Sequence, residues 1–551
     1  MLEGCVPWPD AVAGRYRARG YWQPRTIPQT LRETAARHPE RTALVAGDRR
    51  WTWRDLDAAA DRVAYRLRET GLVPGDRAIF QLPNIPEFVM AWYGCLRAGL
   101  IPVTCLAPFR QTEIGYLAAH TEARAYFIAS EVRGFDHVRM AEEMRAGVPS
   151  LEHVFVAGER RGPGMRDLAE CITTPVPPAR VGKEPVPGPT EAAVFQLSGG
   201  TTGVPKVIPR THEDYLYNSR ALCEVMRFGP DSVYLCVLPI PHNASVILGL
   251  HTTLLTGARF VLAPDADPGN ACRLIEAERV THMMTVPAVL QNLLNTPARR
   301  QHDWSSLVSI ICGGQKVKRE LAERVHPETG TRIQQIFGMG EGLCMLSRLD
   351  DPDDIVLESV GRPISDADEL RIVDPETGRD VPFGEEGELW CRGPYTVPGY
   401  YRAPEHNATV FTPDGFYRTG DIARAFRAPS TGTVNYVIEG RIKDLINRGA
   451  EKINAEEVEG HLLHHPAIRE AVVVAVPDPL LGERACACIV PGAGASPPSL
   501  DDLCAFLETR QLAKFKWPEW LEVFAAIPLT RVGKHDKAAV RAEVARRRRS
   551  S

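Results

Sequence analysis

Helical and strand-like patterns alternate along the first three quarters of the chain. The segment 52–71 (TWRDLDAAADRVAYRLRETG) carries apolar residues at helical spacing, and the following GDRAIFQLPN becomes a short apolar strand. The same alternation returns at 273–287 (RLIEAERVTHMMTVP) and at 305–314 (SSLVSIICGG). Helices between short apolar strands that end in Gly or Pro are typical of parallel sheets covered by helices. The pattern therefore predicts a large α/β domain of stacked layers.

The pattern changes after about residue 390. Shorter strands rich in glycine and turns follow in GFYRTGD and VNYVIEGRIKDLINRGAEKI, and then a helix (EEVEGHLLHHP) and a strand (REAVVVAVP). These elements predict a small α+β domain, and a chain of 551 residues is too long for one compact core. We therefore expect an N-terminal domain over 1–440 and a C-terminal domain over 441–551.

Composition and charge narrow the classes of partner. A net charge of −4 and a pI near 6.5 leave no basic footprint for nucleic acid. The basic run 546–549 lacks aromatic residues and an apolar face, which favours a solvated, frayed end over a nucleic-acid or membrane tail. No apolar run approaches the length of a membrane span, and MLEGCVPWPD lacks the features of a signal peptide. The sequence predicts a cytoplasmic protein that binds neither nucleic acid nor membrane.

The cysteines favour a reducing compartment. The chain has 13 of them and no CxxC pair, so neither a disulfide framework nor a metal site is expected from them. Cys486 and Cys488 alternate in an apolar, strand-like run (ACACIV) and are interpreted as buried thiols.

The stretch 195–215 (FQLSGGTTGVPKVIPRTHEDY) holds the most distinctive local motif. Its glycines and hydroxyl residues, from Ser198 onward, let backbone N–H groups and hydroxyls converge on an anion, and Lys206 adds a positive charge. A Walker motif would place the lysine directly after a glycine. Here Val204 and Pro205 intervene, which excludes a P-loop kinase or ATPase. By itself the loop is also compatible with a plain surface turn.

Four further motifs follow this loop in order: FGMGEG (337–342), YRTGD (417–421), GRIKD (440–444) and LTRVGK (529–534). Together with SGGTTGVPK they resemble the signature set of the adenylate-forming superfamily of acyl-CoA ligases, peptide-synthetase adenylation domains and luciferases. QLPNIPEF, IPRTHEDY, LPIPHN and RGPYTVPGYYRAPEHN further resemble stand-alone aryl-acid–AMP ligases for 2,3-dihydroxybenzoate or salicylate. The resemblance covers essentially the whole chain. It implies a large N-terminal domain of stacked α/β layers and a small, mobile α+β C-terminal domain.

The resemblance also implies an activity. An aromatic carboxylic acid would react with ATP, in the presence of Mg2+, to give an aryl-AMP and pyrophosphate. The acyl group would then pass to a thiol of a separate aryl carrier protein in secondary-metabolite biosynthesis. An aryl-CoA ligase shares the same motifs, as does a ligase that transfers the acyl group to an amine or phenol. A non-catalytic adenylate sensor is disfavoured because the loop, Glu341 and Lys534 are all present.

Individual residues take roles from the matching motifs. Glu341 matches the residue that helps to hold Mg2+, although a lone glutamate is usually just a surface charge. Lys534 matches the catalytic lysine that bridges the carboxylate and the α-phosphate, and Lys443 matches the hinge of the C-terminal domain. The expected ATP- and AMP-binding residues are Ser198, Gly199, Gly200, Thr201, Thr202, Gly203, Lys206, Gly314, Gly338, Met339, Asp421 and Arg441.

The segment HNASVILGLHTTLLTGA, which begins at His242, indicates the acid pocket. By resemblance His242 acts at the border of the pocket, although without the motif it would be interpreted as a core residue. The expected aryl-acid-binding residues are Asn243, Ala244, Gln315, Gly340 and Cys344.

This segment departs from the pattern of dihydroxybenzoate ligases. Ala244 replaces an aromatic residue, the stretch is one residue shorter, and 246–248 (VIL) fall where a serine is usual. Gln315 and Cys344 also differ from the usual small residue and valine. We therefore expect an ortho-hydroxy or ortho-amino aryl acid, such as 3-hydroxyanthranilate, 3-hydroxypicolinate or a quinoline-type acid. Salicylate is expected to be a weaker substrate, and 2,3-dihydroxybenzoate is disfavoured.

Overall fold

The computed structural model describes residues 1–177, 187–198, 205–448, 451–478, 481–510, 512, 514–530 and 534–549. The chain falls into two compact units. The first comprises Met1–Gly200, Val204–Glu369 and Cys391–Tyr417, and the second comprises chiefly Leu370–Trp390 and Arg418–Ser551. This division by packing differs from the functional boundary near 440, which stays a prediction.

Two sheets form the framework of the first unit. The strands of the larger one are, in spatial order, Arg362–Pro363, Gly342–Leu346, Arg332–Met339, Ser309–Gly313, His282–Thr285, Val233–Cys236, Arg259–Leu262, Thr42–Ala46 and Arg49–Thr52. The strands of the other are Val207–Thr211, Ala192–Leu197, Ile101–Thr104, Arg77–Gln81, Ala125–Ala129, His153–Ala157 and Arg166–Asp167. Central strands are parallel, with Met283 beside Ile310 and Ile310 beside Ile333. The prediction of parallel α/β layers is confirmed.

Helices cover these sheets. In the described part of the first unit they are Asp10–Ala18, Ile27–Arg37, Trp53–Glu69, Pro86–Ala98, Gln111–His120, His137–Gly147, Leu168–Thr173, His212–Met226, Asn243–Ser245, His251–Thr256, Pro268–Glu278, Pro287–Asn295, Arg319–Thr329, Asp353–Val356 and Pro404–Val410. Short 3-10 and π segments lie at Pro297–Arg300 and Val246–Leu250, and Glu131–Val132 pairs with Phe135–Asp136.

The helix Trp53–Glu69 shows why the apolar spacing was informative. Thr52 accepts a hydrogen bond from the backbone of Asp55 and the Asp55 side chain accepts one from the backbone of Thr52, which satisfies two amides at the helix start. Its buried face packs on the helix Pro86–Ala98. Gly94 allows the close approach, because a Cβ there would lie 2.4 Å from Val63. The predicted helix over 52–71 is confirmed.

The second unit contains two smaller sheets. One orders Glu369–Val373, Gly387–Arg392, Tyr417–Arg427 and Val434–Arg441; the other orders Glu451–Asn454, Leu445–Arg448, Gly482–Pro491 and Ile468–Asp478, with Trp520–Val523 beside Gly482–Pro491. Helices lie at Ala455–Leu462, Leu500–Thr509 and Lys537–Arg549, with 3-10 turns at Ile442–Asp444 and Lys514–Lys516.

The strands of the second unit are longer than the sequence suggested. Tyr417–Arg427 and Ile468–Asp478 each span 11 residues. Gly420 does not end its strand, because glycine accommodates the local φ of +70° without strain and a register shift follows between Ile422 and Ala423. A glycine that looked like a turn is therefore an irregularity inside a continuous strand.

The chain end also differs from expectation. The basic run 546–549 forms the last turn of the helix Lys537–Arg549 rather than a frayed end. Arg547 bonds Glu543 at 2.8 Å, and the Arg548 guanidinium lies 3.2 Å from the ring centroid of Trp520. Cys486 and Cys488 are buried free thiols, as expected. Within the described residues, no helix combines the length and the apolar character needed to span a membrane.

Candidate active site

The two ends of the glycine-rich loop, Ser198 and Lys206, are hydrogen-bonded to each other. The strands Ala192–Leu197 and Val207–Thr211 are antiparallel neighbours. The backbone N–H of Ser198 donates to the carbonyl of Lys206 at 2.9 Å, and the backbone N–H of Lys206 donates to Ser198 Oγ at 3.0 Å. Gly199, Gly200, Thr201, Thr202 and Gly203 lie outside the described residues, so their predicted phosphate contacts stay predictions.

Glu341 lies at the tip of a hairpin. The strands Arg332–Met339 and Gly342–Leu346 pair antiparallel and leave only Gly340 and Glu341 as the connection. Gly342 has a φ of +147°, and a Cβ there would lie 2.3 Å from Thr396 Cα. Only glycine fits this turn, and the turn carries the Glu341 carboxylate into a buried position.

Tyr400 holds the Glu341 carboxylate and is itself in contact with Tyr417. The hydroxyl of Tyr400 donates to Glu341 Oε1 at 2.6 Å and lies 2.9 Å from the hydroxyl of Tyr417. Burial, and then the Glu341 charge, raise the pKa of Tyr400 far above its usual range, so this hydroxyl stays protonated and donates. An ionised carboxylate accepts several hydrogen bonds, so Glu341 retains acceptor capacity. A buried, oriented carboxylate of this kind fits a hard cation such as Mg2+.

Lys206 lies in the same electrostatic neighbourhood. The pKa of His406 is lowered first by burial and then by the positive charge of Lys206. The His406 ring in turn lies 5.2 Å from the ring of Tyr400. Closer to the loop, a Cβ on Gly340 would lie 2.8 Å from Ile208 Cδ1 and 3.7 Å from the Leu197 carbonyl oxygen, so the tip that carries Glu341 packs on the two strands that flank the loop.

Gly313 and Gly314 end the strand Ser309–Gly313. A Cβ on Gly313 would lie 2.2 Å from the Ile336 carbonyl oxygen, so the two strands approach too closely there for any side chain. Gly314 has a φ of +81° and is exposed, and Gln315 after it is exposed as well. A bare backbone edge of this kind suits a flat ring, and the contact of Gly314 with the nucleotide stays a prediction.

Asn243 begins a short helical segment. His242 caps it, since His242 Nδ1 accepts from the backbone N–H of Ala244 at 3.2 Å. His242 is exposed rather than a core residue, whereas Ala244 is half-buried. The hydroxyl of Tyr215 donates to Asn243 Oδ1 at 2.8 Å. The roles of His242, Asn243 and Ala244 at the acid pocket stay predictions.

Cys344 and Gly338 face each other across the hairpin. A Cβ on Gly338 would lie 3.6 Å from Cys344 Sγ, an ordinary van der Waals separation, so there is room for a methyl group beside the buried thiol. Burial raises the pKa of Cys344 to about 12, so the thiol is neutral. The backbone N–H of Cys344 donates to the Tyr395 hydroxyl at 3.4 Å, and that hydroxyl donates to the Asp368 carboxyl.

Asp421 and Arg441 are paired within the second unit. They stand opposite each other on the neighbouring strands, with Arg441 Nε 3.0 Å from Asp421 Oδ1. Burial acts to lower the pKa of Arg441, but nearby carboxylates, led by Asp421, raise it overall. Asp421 is buried, and its backbone N–H donates to Thr419 Oγ1 at 3.0 Å. The pair offers an acceptor and a cation side by side.

Lys534 and Lys443 also belong to the second unit. The backbone N–H of Lys534 donates to Thr530 Oγ1 at 3.1 Å. Next to this bond, Leu529 and His535 form an isolated antiparallel β-bridge. Lys443 lies in the 3-10 turn Ile442–Asp444, and its side chain is outside the described atoms. Their catalytic and hinge roles stay predictions.

Comparison with known families identifies the fold. AMP-binding enzyme matches residues 31–401, and AMP-binding enzyme C-terminal domain matches residues 457–534. The chain belongs to the AMP-binding enzyme family.

Relatives of this AMP-binding enzyme extend over its whole length. The 2,3-dihydroxybenzoate-AMP ligase of Bacillus subtilis (strain 168) is 43% identical, covering 98% of each chain. A salicylyl-CoA synthase / salicylate adenylyltransferase from Streptomyces is 45% identical, covering 98% of this chain and 97% of the relative. The apo structure of Mycobacterium smegmatis MbtA is 39% identical with a TM-score of 0.74, covering 98% of this chain and 99% of that one. The AMP-binding enzyme described here is an adenylate-forming ligase of the aryl-acid type.

Several supporting residues of this AMP-binding enzyme were missed by the sequence reasoning. Tyr400 and Tyr417 lie inside quoted motifs but were given no role. Gln196 and Tyr215 back Asn243 and were also passed over. A signal existed for Gln196, because a polar side chain in an otherwise apolar strand (AAVFQL) must find a hydrogen-bond partner.

Proposed function

We propose that this enzyme activates an ortho-substituted aryl carboxylic acid with ATP and passes the acyl group to a carrier-protein thiol. The observation that carries the proposal is that the hairpin tip bearing the buried Glu341 carboxylate packs, within the first unit, on the two strands that lead to Ser198 and Lys206: a Cβ on Gly340 would lie 2.8 Å from Ile208 Cδ1 and 3.7 Å from the Leu197 carbonyl oxygen. A phosphate-binding loop and a carboxylate for Mg2+ are what ATP chemistry requires. The choice of an aryl acid as the substrate class is supported by the relatives, which are named as 2,3-dihydroxybenzoate and salicylate ligases.

In the first half-reaction a carboxylate oxygen of the acid attacks the α-phosphorus of ATP, and pyrophosphate leaves. The residues from Ser198 to Lys206 bind the leaving phosphates. Glu341 holds Mg2+, which supplies charge neutralisation on the phosphates when bound. Lys534 places its ammonium between the carboxylate and the α-phosphate oxygens, where negative charge develops in the transition state.

The nucleoside and the hinge involve the second unit. Asp421 accepts hydrogen bonds from the ribose hydroxyls, and Arg441 lies beside it with a positive charge. The adenosine also contacts backbone atoms of the first unit, at Gly314, Gly338 and Met339. In the second half-reaction the thiol attacks the acyl carbonyl and AMP leaves. For this step the domain 441–551 turns about Lys443 and replaces the Lys534 face with another.

The acid pocket has departed from a dihydroxybenzoate site. Asn243 bonds the substituent next to the carboxylate, and Ala244 opens space beside the ring. Gln315, Gly340 and Cys344 form further edges, with His242 at the entrance. Because no hydroxyl side chain stands at 246–248, a second ring hydroxyl would lose its partner, at a cost of about 1–3 kcal/mol. Salicylate, 3-hydroxypicolinate, 3-hydroxyanthranilate and quinoline-type acids are the proposed candidates.

Coenzyme A is a second candidate acceptor, because the Streptomyces relative is named a salicylyl-CoA synthase as well as an adenylyltransferase. The thiol chemistry is the same for a carrier protein and for CoA.

Acid-dependent exchange of labelled pyrophosphate into ATP tests the proposal. A panel of aryl acids should give exchange with ortho-substituted acids, and 2,3-dihydroxybenzoate should have a lower kcat/KM than the best acid. Adding an aryl carrier protein, CoA or an amine then identifies the acceptor from the product. Absence of exchange with every aryl acid would refute the function, and a maximum at 2,3-dihydroxybenzoate would refute the reading of the pocket.

A further inference from the structure

A chain of buried hydrogen bonds ends on Asn243. Thr104 Oγ1 lies 2.8 Å from Gln196 Oε1, Gln196 Nε2 lies 2.9 Å from the Tyr215 hydroxyl, and that hydroxyl lies 2.8 Å from Asn243 Oδ1. Thr104, Gln196 and Tyr215 are each buried. They come from two strands of one sheet and from the helix His212–Met226. Three separate elements are thus connected to one amide, and we name Thr104, Gln196 and Tyr215 the relay.

The proton order along the relay follows from its first link. A hydroxyl has one proton to donate. When Thr104 donates to Gln196 Oε1, the Gln196 amide donates to Tyr215 and the Tyr215 proton goes to Asn243 Oδ1. In the reverse order the side-chain amides of Gln196 and Asn243 are both rotated by about 180°. The Thr104 hydroxyl then accepts from Gln196, and its own proton can be donated only to the Phe195 carbonyl oxygen at 3.4 Å. That separation is beyond the usual range for an O–H···O bond, so the order toward Asn243 is favoured.

The last donor is held rigidly. The Arg210 guanidinium lies 4.5 Å from the Tyr215 ring centroid, and the His251 ring meets the same ring edge-on at 4.8 Å. Arg210 is itself paired with Asp214 at 2.7 Å. Burial raises the pKa of Tyr215 well above its usual range and lowers that of His251 to about 3. Tyr215 therefore keeps its proton, and His251 beside it stays neutral at physiological pH.

We propose that the relay fixes Asn243 as a hydrogen-bond donor toward the substrate. The Tyr215 hydroxyl donates to Oδ1 and so fixes the orientation of the amide, which leaves the two N–H groups of Nδ2 as the donors that Asn243 offers to the acid. The favoured acids then carry an acceptor next to the carboxylate, either a phenolic oxygen or a ring nitrogen. An ortho amino group is disfavoured, because its N–H groups would face the N–H groups of Asn243 and two donors would meet without an acceptor. This inference rests on the proposed function, in which Asn243 faces the acid. It ranks 3-hydroxyanthranilate below salicylate and 3-hydroxypicolinate, which reverses the order of salicylate and 3-hydroxyanthranilate expected from the sequence.

The test compares four acids by pyrophosphate exchange: salicylate, picolinate, anthranilate and benzoate. Wild type should show a higher kcat/KM for salicylate and picolinate than for anthranilate. Benzoate has no ortho atom and reports general damage. Tyr215→Phe removes the hydroxyl that donates to Asn243 Oδ1 and lets the amide turn. The salicylate-to-anthranilate ratio should fall on the order of tenfold, as for loss of one buried hydrogen bond, with benzoate changed much less.

Two further variants sharpen the result. Thr104→Val is nearly isosteric, sits at the far end of the relay, and should lower the same ratio; it also serves if Tyr215→Phe does not fold. Tyr217→Phe is the matched control, because its hydroxyl contacts Ser365 at 2.5 Å instead of the relay, and the ratio should be unchanged.

Three outcomes would overturn the inference. These are a wild-type preference for anthranilate, a Tyr215→Phe effect equal for all four acids, and a folded Thr104→Val with an unaltered ratio. Exchange that depends on no aryl acid at all would instead refute the proposed function, so the two failures are distinguishable.

Discussion

Glu341 shows how a single residue takes its character from its neighbours. In the sequence it is one carboxylate between two glycines. In the folded unit Tyr400, backed by Tyr417, donates a hydrogen bond to it, and it is buried at the hairpin tip. A carboxylate held in one orientation binds a cation without first losing side-chain freedom, so the tyrosine hydroxyls are expected to matter for binding.

Removing the Tyr400 hydroxyl should weaken Mg2+-dependent nucleotide binding. A hydrogen bond to a charged group contributes about 1.5–3 kcal/mol, so Tyr400→Phe should reduce the affinity for Mg2+·ATP on the order of tenfold or more. Isothermal titration with and without Mg2+ measures this directly. Tyr401→Phe alters a neighbouring buried tyrosine that does not contact Glu341, and serves as the control. Equal affinity of Tyr400→Phe and wild type would contradict the orienting role.

Lys534→Ala should nearly abolish adenylation while ATP still binds. A charge that acts mainly in the transition state is expected to contribute about 3–4 kcal/mol, or a factor of several hundred in rate. Pyrophosphate exchange measures the loss, and acyl transfer from a pre-made aryl-AMP should survive. Lys514→Ala removes an exposed lysine of the same unit and should leave exchange intact. Wild-type exchange by Lys534→Ala would show that the role belongs to another group.

At the scale of elements, the hairpin Arg332–Met339 with Gly342–Leu346 gathers Gly338, Glu341 and Cys344. Two glycines make this possible for different reasons. Gly342 is required by its backbone conformation and by Thr396, whereas Gly338 leaves room beside Cys344. The hairpin therefore carries both the proposed metal ligand and one edge of the proposed acid pocket.

Gly342→Ala should destabilise the first unit and displace Glu341. The new Cβ would lie 2.3 Å from Thr396 Cα in a conformation that L residues rarely adopt. We expect a loss of about 1–3 kcal/mol in the free energy of unfolding, together with weaker Mg2+·ATP binding. Gly338→Ala, in the same hairpin with 3.6 Å of clearance, should be nearly neutral for stability. Equal melting temperatures for Gly342→Ala and wild type would rule out the steric argument.

Asp368, which accepts the Tyr395 hydrogen bond behind Cys344, predicts a pH-dependent stability. Burial raises its pKa from 3.8 to about 8. Between these values the folded protein holds a proton that the unfolded chain has released, so the free energy of unfolding falls as pH rises. Asp368→Asn has no such proton, so its stability relative to wild type should improve steadily from pH 5 to pH 8. Denaturant unfolding at three pH values measures this, and a constant difference would contradict the assignment.

At the scale of the whole molecule, the proposed reaction divides its residues between two units. The loop ends, Glu341 and the acid pocket belong to the first, and Asp421, Arg441, Lys443 and Lys534 belong to the second. Such a division suits an enzyme that performs two half-reactions, because one unit can present different faces to the other at each step.

Lys443→Pro should separate the two half-reactions. Proline restricts φ at the proposed hinge, so adenylation should continue while acyl transfer slows by tenfold or more. Pyrophosphate exchange reports the first step and loading of a carrier protein or CoA reports the second. The conservative Lys443→Arg should retain both. An equal loss of exchange and transfer in the proline variant would indicate misfolding rather than a blocked hinge.

Local patterns in the sequence were sufficient to predict the α/β layers of the first unit and the adenylate-forming class of reaction. The helix Trp53–Glu69 and the strand Ser309–Gly313 follow from apolar spacing, because burial of one face acts through neighbouring residues. The ordered motifs indicated the adenylate-forming family, because each motif is a short contiguous segment. Local reasoning failed at Gly420, where a turn signal was accommodated within a strand, and at 546–549, where packing on Trp520 stabilises a helix.

Only the tertiary structure decided which side chains support the site. Tyr400 is 59 residues from Glu341, and Tyr215 is 28 residues from Asn243. Hydrogen bonds between such distant positions leave no periodic trace in the sequence, since their geometry depends on how separate strands and helices pack. The sequence by itself therefore determined the family, and it proposed the reacting residues through the motifs of that family. The orientation of those residues, and with it the proposed choice of acid, depends on contacts that exist only in the folded chain.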